Sequence, residues 1–188
     1  MPLEIEIKLK LDTHDGVLVR LAALQARHVG RVRETNIFFD RADGALRRAD
    51  AGLRVRLTTS ADDLVPKALL TFKGPAAAGG LRSREAFDLA VTPQEQVVPL
   101  LRGLGFEQVL LFEKDRDTWR VGECLVELDT LPVFGCFLEI EGPSEEAVRG
   151  VQGVLGLSHM RQERKSYSQM VGEYLQQKAS AQLRFGSD

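Results

Sequence analysis

Acidic and basic side chains recur two residues apart along several segments of the chain, and this spacing can build an ionic site. The acidic pairs are Glu4/Glu6, Glu127/Asp129 and Glu139/Glu141, and the basic pairs are Arg54/Arg56 and Lys114/Arg116, with Arg120 further along the same face. Residues i and i+2 of a β-strand point to the same face, roughly 7 Å apart. Long side chains can converge from this spacing. Two like charges at ~4 Å repel by about 4 kcal/mol at an effective dielectric constant near 20, so each acidic pair needs water or a cation between its members.

This mixture of charges is suited to phosphate chemistry. Carboxylates without histidine or cysteine partners favour hard cations, Mg²⁺ or Mn²⁺, over zinc. Lysine and arginine bind phosphate oxygens, and arginine can bind two at once. Acids that hold a metal beside bases that hold phosphates describe a polyphosphate or nucleotide site. The alternative is a set of solvated polar strand faces, which would discourage edge-to-edge aggregation.

Other catalytic motifs are missing from the sequence. The glycine-rich segment GPAAAGG (74–80) lacks the lysine of a phosphate-binding P-loop and is expected to be a plain connector. The histidines His14, His28 and His159 have no partner at ligand spacing and are expected at the surface. Cys124 and Cys136 are isolated, so neither a zinc site nor a disulfide framework is indicated.

Period-two alternation of polar and apolar residues dominates the chain and predicts a mostly antiparallel sheet of α+β type. Strands are predicted at about 3–11, 32–40, 52–59, 65–73, 81–91, 107–120, 123–131 and 134–142. Helical spacing marks 12–28, 92–105, 143–157 and about 164–177, and 42–52 is expected to be a connector. We expect a single domain over 1–177 and a flexible tail at 178–188. A sheet curled with its ionic face inward would enclose both signs of charge, but alternation alone leaves the direction of curling open.

Composition is that of an ordinary globular protein and excludes several functional classes. The 188 residues are 44% hydrophobic and 28% charged, and 25 basic residues nearly balance 27 acidic ones. The chain has no excess of basic residues that would favour nucleic-acid binding. No apolar run approaches the length needed to cross a membrane. The N-terminus has no cationic region followed by an apolar run, so no signal peptide is expected and the cytoplasm is the expected compartment. A monomer or a homodimer is compatible with the sequence.

The charged segments occur in an order that resembles a known family. They are EIEIK (4–8), NIFFD (36–40), GLRVR (52–56), TFKGP (71–75), RSRE (82–85), EKDR (113–116), VELDTL (126–131), GCFLEIEGP (135–143) and RKSYSQM (164–170). EIEIK alone is a weak motif, but the whole series resembles the CYTH group, also called triphosphate tunnel metalloenzymes, from the first strand to about residue 170. The resemblance implies an eight-stranded antiparallel β-tunnel, a closed barrel with an ionic interior and helices packed outside.

The resemblance also implies roles for individual residues. Catalysis would fall to Glu4, Glu6 and Lys8; the metal ion to Glu4, Glu6, Glu85, Asp129, Glu139 and Glu141; and the triphosphate to Lys8, Arg54, Arg56, Lys73, Arg84, Arg116 and Lys165. Strict alternation puts Glu85 opposite Arg84, so a bulge would be needed for both to face inward. Glu127 is a weaker candidate, and Lys114 and Arg120 are expected to be solvated charges.

The activity implied is a Mg²⁺- or Mn²⁺-dependent hydrolysis of a small triphosphate, which releases phosphate. The substrate would be tripolyphosphate, with thiamine triphosphate or nucleoside triphosphates as further candidates. The alternatives are a class IV adenylate cyclase, which makes cyclic AMP and pyrophosphate from ATP, and a polyphosphate- or nucleotide-binding module without catalysis. Gly52 and Leu53 precede the arginine pair where a thiamine-stacking aromatic would be expected, so only Phe38, Phe39 or Trp119 could replace it.

Overall fold

The architecture comes from a computed structural model that describes residues 3–61, 65–75, 82–92 and 94–186. Within these ranges the side chains of Leu3, Glu4, Arg82, Ser83 and Gln94 are not described. The predicted connector 74–80 therefore lies mostly outside the described residues.

The described chain forms one sheet whose strands close on themselves. The strands are β1 (Leu3–Lys10), β2 (Arg27–Asp40), β3 (Gly52–Thr59), β4 (Lys67–Lys73), β5 (Arg82–Val91), β6 (Glu107–Val121), β7 (Cys124–Leu131), β8 (Gly135–Gly142) and β9 (Gln182–Leu183). Neighbours follow the order β2-β3-β4-β5-β1-β8-β7-β6, and β6 pairs again with β2, so eight antiparallel strands make a barrel. The predicted fold class is confirmed. Strand β9 adds a short parallel pairing to β6.

Five α-helices and one short 3₁₀ helix (Gln94–Gln96) accompany the barrel within the described residues. The α-helices are α1 (Asp15–Ala23), α2 (Ala45–Arg48), α3 (Val97–Gly103), α4 (Glu145–Val154) and α5 (Tyr167–Gln177). The Ser144 hydroxyl accepts from the Ala147 N–H at the start of α4, and Ser166 forms a capping box with Gln169 at the start of α5. No helix in the described part of the chain combines the length and the apolarity needed to cross a bilayer.

Alternate residues of β1 face the outside and the inside of the barrel. Ile7 and Leu9 are fully buried in an apolar cluster that includes residues of α1 and α4. Glu6 and Lys8, one position out of step, line the interior cavity instead. The outward apolar face therefore binds the helices, and the ionic face is turned inward.

Helices α3 and α5 cover different sides of the sheet. Val97 and Leu101 of α3 pack on outward residues of β2 and β3, such as Val55. Helix α5 instead packs against Phe137 and Phe112. Because Phe137 shares a strand face with the inward Glu139, α5 fills part of the barrel interior.

Local boundaries differ from the sequence expectations in three places. Helix α1 ends at Ala23, because Gln25 adopts φ 52° and the chain turns into β2 at Arg27, where pairing with β6 outweighs helical periodicity. His28 therefore lies in a strand. The expected connector 42–52 contains α2, which is too short for its periodicity to be visible. Contrary to the expectation of a frayed tail, Leu183 in β9 is buried.

Candidate functional site

The barrel encloses a cavity of about 790 Å³ whose wall is largely ionic. The charged lining residues on the strands include Glu6, Lys8, Arg54, Arg56, Lys73, Arg84, Asp88, Lys114, Arg116, Glu127, Glu139 and Glu141. They come from seven strands, β1 and β3 to β8, and closure of the barrel brings them together. The cavity therefore contains both acids that could hold a cation and bases that could hold an anion.

Arg116 is the centre of a buried ion network. Its guanidinium donates to both oxygens of Asp129 at 2.7 and 2.6 Å and to Glu139 at 2.5 Å, and it also pairs with Glu127. Arg116 and Asp129 are Cα partners on β6 and β7, so strand register alone sets this two-point contact. Such bidentate pairs fix direction as well as charge.

A second acidic centre, Glu34, joins β2 and β3 to this network. Its carboxylate lies 3.1 Å from the Arg56 guanidinium and 3.4 Å from the Lys114 ammonium. Lys114 also donates to Asp129 at 3.0 Å, so a continuous chain of alternating charge crosses the cavity wall. Glu34 and Lys114 are almost completely buried.

Tyr167 of α5 closes one side of the network. Its hydroxyl donates to Asp129 at 2.9 Å, and its ring lies 3.9 Å from the Lys8 ammonium and 5.0 Å from that of Lys114. Lys8 is also 3.2 Å from Glu139. A tyrosine face attracts cations through its ring quadrupole, so α5 helps to hold both lysines in place.

Burial and neighbouring charges oppose each other in setting the pKa values of the acids. Burial raises the pKa of Asp129, but Arg116 and Lys114 outweigh it and hold that pKa below its ordinary value. The pKa of Glu34 is likewise lowered, because Lys114 and Arg56 overcome the effect of burial. For Glu127 burial prevails, with a contribution from Asp129, and raises the pKa to about 7.

Arg54 differs from the other cavity bases in its partners. It donates to Thr71 Oγ1 at 3.3 Å, Thr71 donates on to Asp88, and Arg54 makes no ion pair with any described residue. Its buried Nε has no hydrogen-bond partner in the described structure. Burial, followed by repulsion from Arg56, lowers the pKa of Arg54 to about 9. A desolvated cation of this kind is suited to an anionic ligand.

The segment 41–51 is largely exposed and lines the cavity, so it forms part of the cavity mouth, and Asp40 anchors it. The Asp40 carboxylate accepts hydrogen bonds from the backbone N–H groups of Arg41, Leu46 and Arg47 at 2.7, 2.9 and 3.0 Å. These hydrogen bonds lower the pKa of Asp40 despite its burial. Asp50 at the end of the segment lies 3.6 Å from Arg84, which links the mouth to the interior.

Most of the residues that the sequence singled out meet in this cavity. Those placed at its wall are Glu6, Lys8, Arg54, Arg56, Lys73, Arg84, Arg116, Glu139 and Glu141, while Asp129 is completely buried behind Arg116. Glu4 lies in β1 opposite Arg84, but its side chain is outside the described residues.

Glu85 and Lys165 are not brought into the cavity wall. The pairing of β1 with β5 runs without a bulge at Arg84 and Glu85, so Glu85 follows strict alternation and is exposed. Lys165 is exposed and lies 2.6 Å from Glu173; only its backbone carbonyl approaches the network, where it accepts from Lys8 at 3.3 Å. The inward position expected for Glu85 is therefore corrected.

Sequence reasoning missed several members of the ionic wall. Lys114 was expected to be solvated but is buried, and Glu34, Asp88 and Thr71 were not singled out. Glu34 could have been found, because it shares a strand face with Asn36 and Phe38 in the predicted strand 32–40. Arg120 is exposed, as expected.

Carboxylate chemistry in the cavity fits a hard divalent cation. Glu6 and Glu141 line the cavity and are Cα partners on β1 and β8. Glu139 lies on the same face of β8, though Lys8 and Arg116 contact it. Among the described residues no three acidic, histidine or cysteine side chains are close enough to form a metal site. The donor types fit, and the side chain of Glu4 lies outside the described residues.

Comparison with known proteins identifies the family. The CYTH domain family matches residues 2–167, nearly the whole chain, and the chain therefore belongs to this family. A protein of Methanocaldococcus jannaschii, provisionally named an adenylate cyclase, is 27% identical over 139 residues, which are 74% of this chain and 76% of that protein.

Solved structures share the fold. A protein of Pyrococcus horikoshii OT3 superimposes with a TM-score of 0.79 at 23% identity, over 91% of this chain and 99% of its own. A Hippeastrum protein, described as a provisional adenylyl cyclase with a dominant triphosphatase activity, has a TM-score of 0.68 at 23% identity over 96% of this chain and 97% of its own. CYTH family members act on triphosphates as enzymes.

Proposed function

We propose that the protein is a divalent-metal-dependent hydrolase of triphosphate compounds that releases orthophosphate. The observation that carries this proposal is the desolvated Arg54, which lies in the cavity wall without an ion pair to any described residue. The cavity cations Arg56, Lys73 and Arg84 extend the same anion-binding surface. A triphosphate offers these side chains the phosphate oxygens that arginine binds at two points.

Glu4, Glu6, Glu139 and Glu141 would supply the carboxylates from which the divalent cation takes its ligands. Glu6 and Glu141 are placed opposite each other, and Glu139 follows on the same strand face. When bound, the cation would supply Lewis-acid stabilisation of negative charge on phosphate oxygens. Mg²⁺ and Mn²⁺ both accept carboxylate ligands, so the donor set admits either ion.

The chain's own residues would position and stabilise the reacting groups. Arg54 and Arg56 bind the phosphate chain, and Lys8 and Arg116 offset the charge that develops as the anhydride bond breaks. Cavity carboxylates orient a water molecule toward the terminal phosphorus. Its oxygen forms the new P–O bond, the diphosphate end leaves with the bridging oxygen, and the water proton passes to solvent or a phosphate oxygen.

A substrate panel tests this proposal. Purified protein is given tripolyphosphate, thiamine triphosphate, ATP or GTP with Mg²⁺ or Mn²⁺, and released orthophosphate is measured. We expect release from at least one substrate and its loss in EDTA. Glu6→Gln and Arg56→Ala should lower turnover by orders of magnitude, whereas Arg33→Ala, in an exposed pair with Asp115, should not.

Adenylate cyclase activity is the alternative, because the Methanocaldococcus jannaschii relative carries that provisional name. The ATP reaction distinguishes the two by its products. Formation of cyclic AMP with pyrophosphate would contradict the proposed hydrolase activity and support the cyclase activity. Tight binding of the panel without any product would instead support a non-catalytic binding module.

A further inference from the structure

One wall of the cavity is apolar, although the others are ionic. Phe38, Leu110 and Phe112 line it from β2 and β6, and Leu175 continues it from α5. These four residues belong to the apolar cluster that α5 forms inside the barrel. A phosphate chain alone gains nothing from such a wall, because its oxygens are fully charged and hydrogen-bonding.

Phe38 is the partly exposed ring of this wall. Among the described aromatic residues that line the cavity, Phe39, Phe112 and Tyr167 are buried, whereas Phe38 retains exposed surface. Its ring stacks on Phe112 with centroids 5.8 Å apart and planes at 18°, so its orientation is fixed by packing. Trp119 packs in the outer cluster instead and is excluded as a ring for the cavity.

Strand register places Phe38 beside the phosphate-binding cations and nearer the mouth. Phe38 is the Cα partner of Arg54, and Asn36 is the partner of Arg56. Two residues beyond Phe38, Asp40 anchors the mouth segment 41–51. A ligand held by Arg54 and Arg56 would therefore have its outer end beside the Phe38 ring.

The cavity has room for a group larger than a phosphate chain. Gly172 of α5 also lines it, and a Cβ added at that glycine would meet no atom within 4 Å. The volume of about 790 Å³ lies in the range of sites that accept drug-sized organic molecules.

We infer that the substrate is a triphosphate with a planar, uncharged aromatic ring at its organic end, as in a nucleoside triphosphate, and that Phe38 is its stacking platform. This inference rests on the proposed function only in taking the cationic wall as the triphosphate site. An uncharged ring is preferred to the thiazolium of thiamine because Arg54, the strand partner of Phe38, makes no ion pair with a described residue and repels a cation placed on that ring.

The test compares ATP, thiamine triphosphate and tripolyphosphate on the wild type, Phe38→Leu and Phe38→Tyr. Wild type should prefer ATP to the other two by kcat/KM. Phe38→Leu, which keeps apolar packing, should lose about tenfold in kcat/KM on ATP, because base–aromatic stacking is worth that much. The loss should appear in KM, since the contact is made equally in the ground and transition states. For Phe38→Leu, the kcat/KM for tripolyphosphate should change less than twofold. Phe38→Tyr should restore the wild-type kcat/KM for ATP.

The control is Phe87→Leu, which removes an exposed ring from outside the cavity. It should leave every kinetic constant within twofold. Equal losses on ATP and tripolyphosphate for Phe38→Leu would show a merely structural role and overturn the inference. So would an unchanged ATP constant, or a wild-type preference for thiamine triphosphate or tripolyphosphate.

Binding by calorimetry in EDTA separates this inference from the proposed function. If no substrate is turned over, the proposed hydrolase fails, yet ATP should still bind the wild type about tenfold tighter than Phe38→Leu, with tripolyphosphate unchanged. The same Kd for ATP in both proteins, or no binding of either ligand, would overturn the platform itself.

Discussion

Arg54 donates to Thr71 Oγ1 and makes no ion pair with a described residue, whereas Asp129 accepts from Arg116, Lys114 and Tyr167. Arg54 lines the cavity and Asp129 lies behind its wall, but their electrostatic environments are opposite. Arg54 is a desolvated charge without an ion pair to a described residue, and Asp129 is a charge that Arg116 and Lys114 compensate. Substitution should separate the two roles.

Arg54→Gln should impair function more than stability. The change removes a cation whose pKa is lowered by burial, so the free energy of unfolding should stay equal or rise. With a phosphate-binding group lost, kcat/KM for triphosphate hydrolysis should fall by about 10²-fold, a cost of about 2.7 kcal/mol. Thermal unfolding and steady-state kinetics measure the two effects. Arg149→Gln, in an exposed helical pair, is the matched control and should change neither.

Asp129→Asn should destabilise the fold strongly. Arg116 and Lys114 would remain buried without their shared carboxylate, and breaking a buried pair in this way costs about 3–5 kcal/mol. Urea unfolding measures the loss. Asp115→Asn removes an exposed pair with Arg33 and should change stability by no more than about 0.5 kcal/mol. Equal effects of the two substitutions would contradict the network described.

At the scale of elements, the strands determine which way the side chains point, and the loops determine access to the cavity. Alternation in β1 gives Ile7 to the helices and Lys8 to the cavity. Segment 41–51 forms the mouth because the Asp40 carboxylate organises its backbone. One strand-end residue therefore controls the shape of the entrance.

Asp40→Ala should loosen the mouth segment. Three backbone N–H groups would lose a charged acceptor, and we expect a loss of about 2 kcal/mol in stability. The KM for triphosphate should rise more than kcat falls, because the segment lines the entrance but does not hold the phosphates. Hydrogen exchange across 41–51 measures the loosening. Asp43→Ala, whose carboxylate is exposed, should leave exchange outside its own turn unchanged.

For the whole molecule, barrel closure concentrates opposing charges in one interior and makes stability depend on pH. Glu34, Asp129 and Glu139 have pKa values below their ordinary ones, so their stabilisation is present at neutral pH and is lost as pH falls below about 4. The pH dependence of stability that Glu127 contributes has the opposite sign. Its pKa is raised to about 7, so its contribution is present below its ordinary pKa of 4.5 and is lost as pH rises through 7.

The unfolding free energy in EDTA should therefore be greatest near pH 5, as an order-of-magnitude placement from these two signs. Glu127→Gln should remove the decline between about pH 5 and 7 and retain the acid-side loss. Chemical denaturation across the pH range measures both limbs. A decline of the same size in Glu127→Gln and the wild type would assign the neutral limb to other groups.

The sequence by itself determined the strands, their alternation and most of the ionic residues. Period two is a local property, so Glu6, Lys8, Arg54 and Arg56 could be assigned to polar faces without a structure. The ordered motifs then favoured a closed tunnel with both signs of charge inside, and barrel closure confirms that fold.

Only the tertiary structure decided which charges meet and which remain outside. Lys114 is buried because closure puts it between Glu34 and Asp129, which lie far from it in sequence. Glu85 is exposed because the β1–β5 pairing has no bulge. The helix α5 and the ring of Phe38 become parts of the cavity through packing. These are contacts between distant segments, and periodicity within one segment carries no information about them.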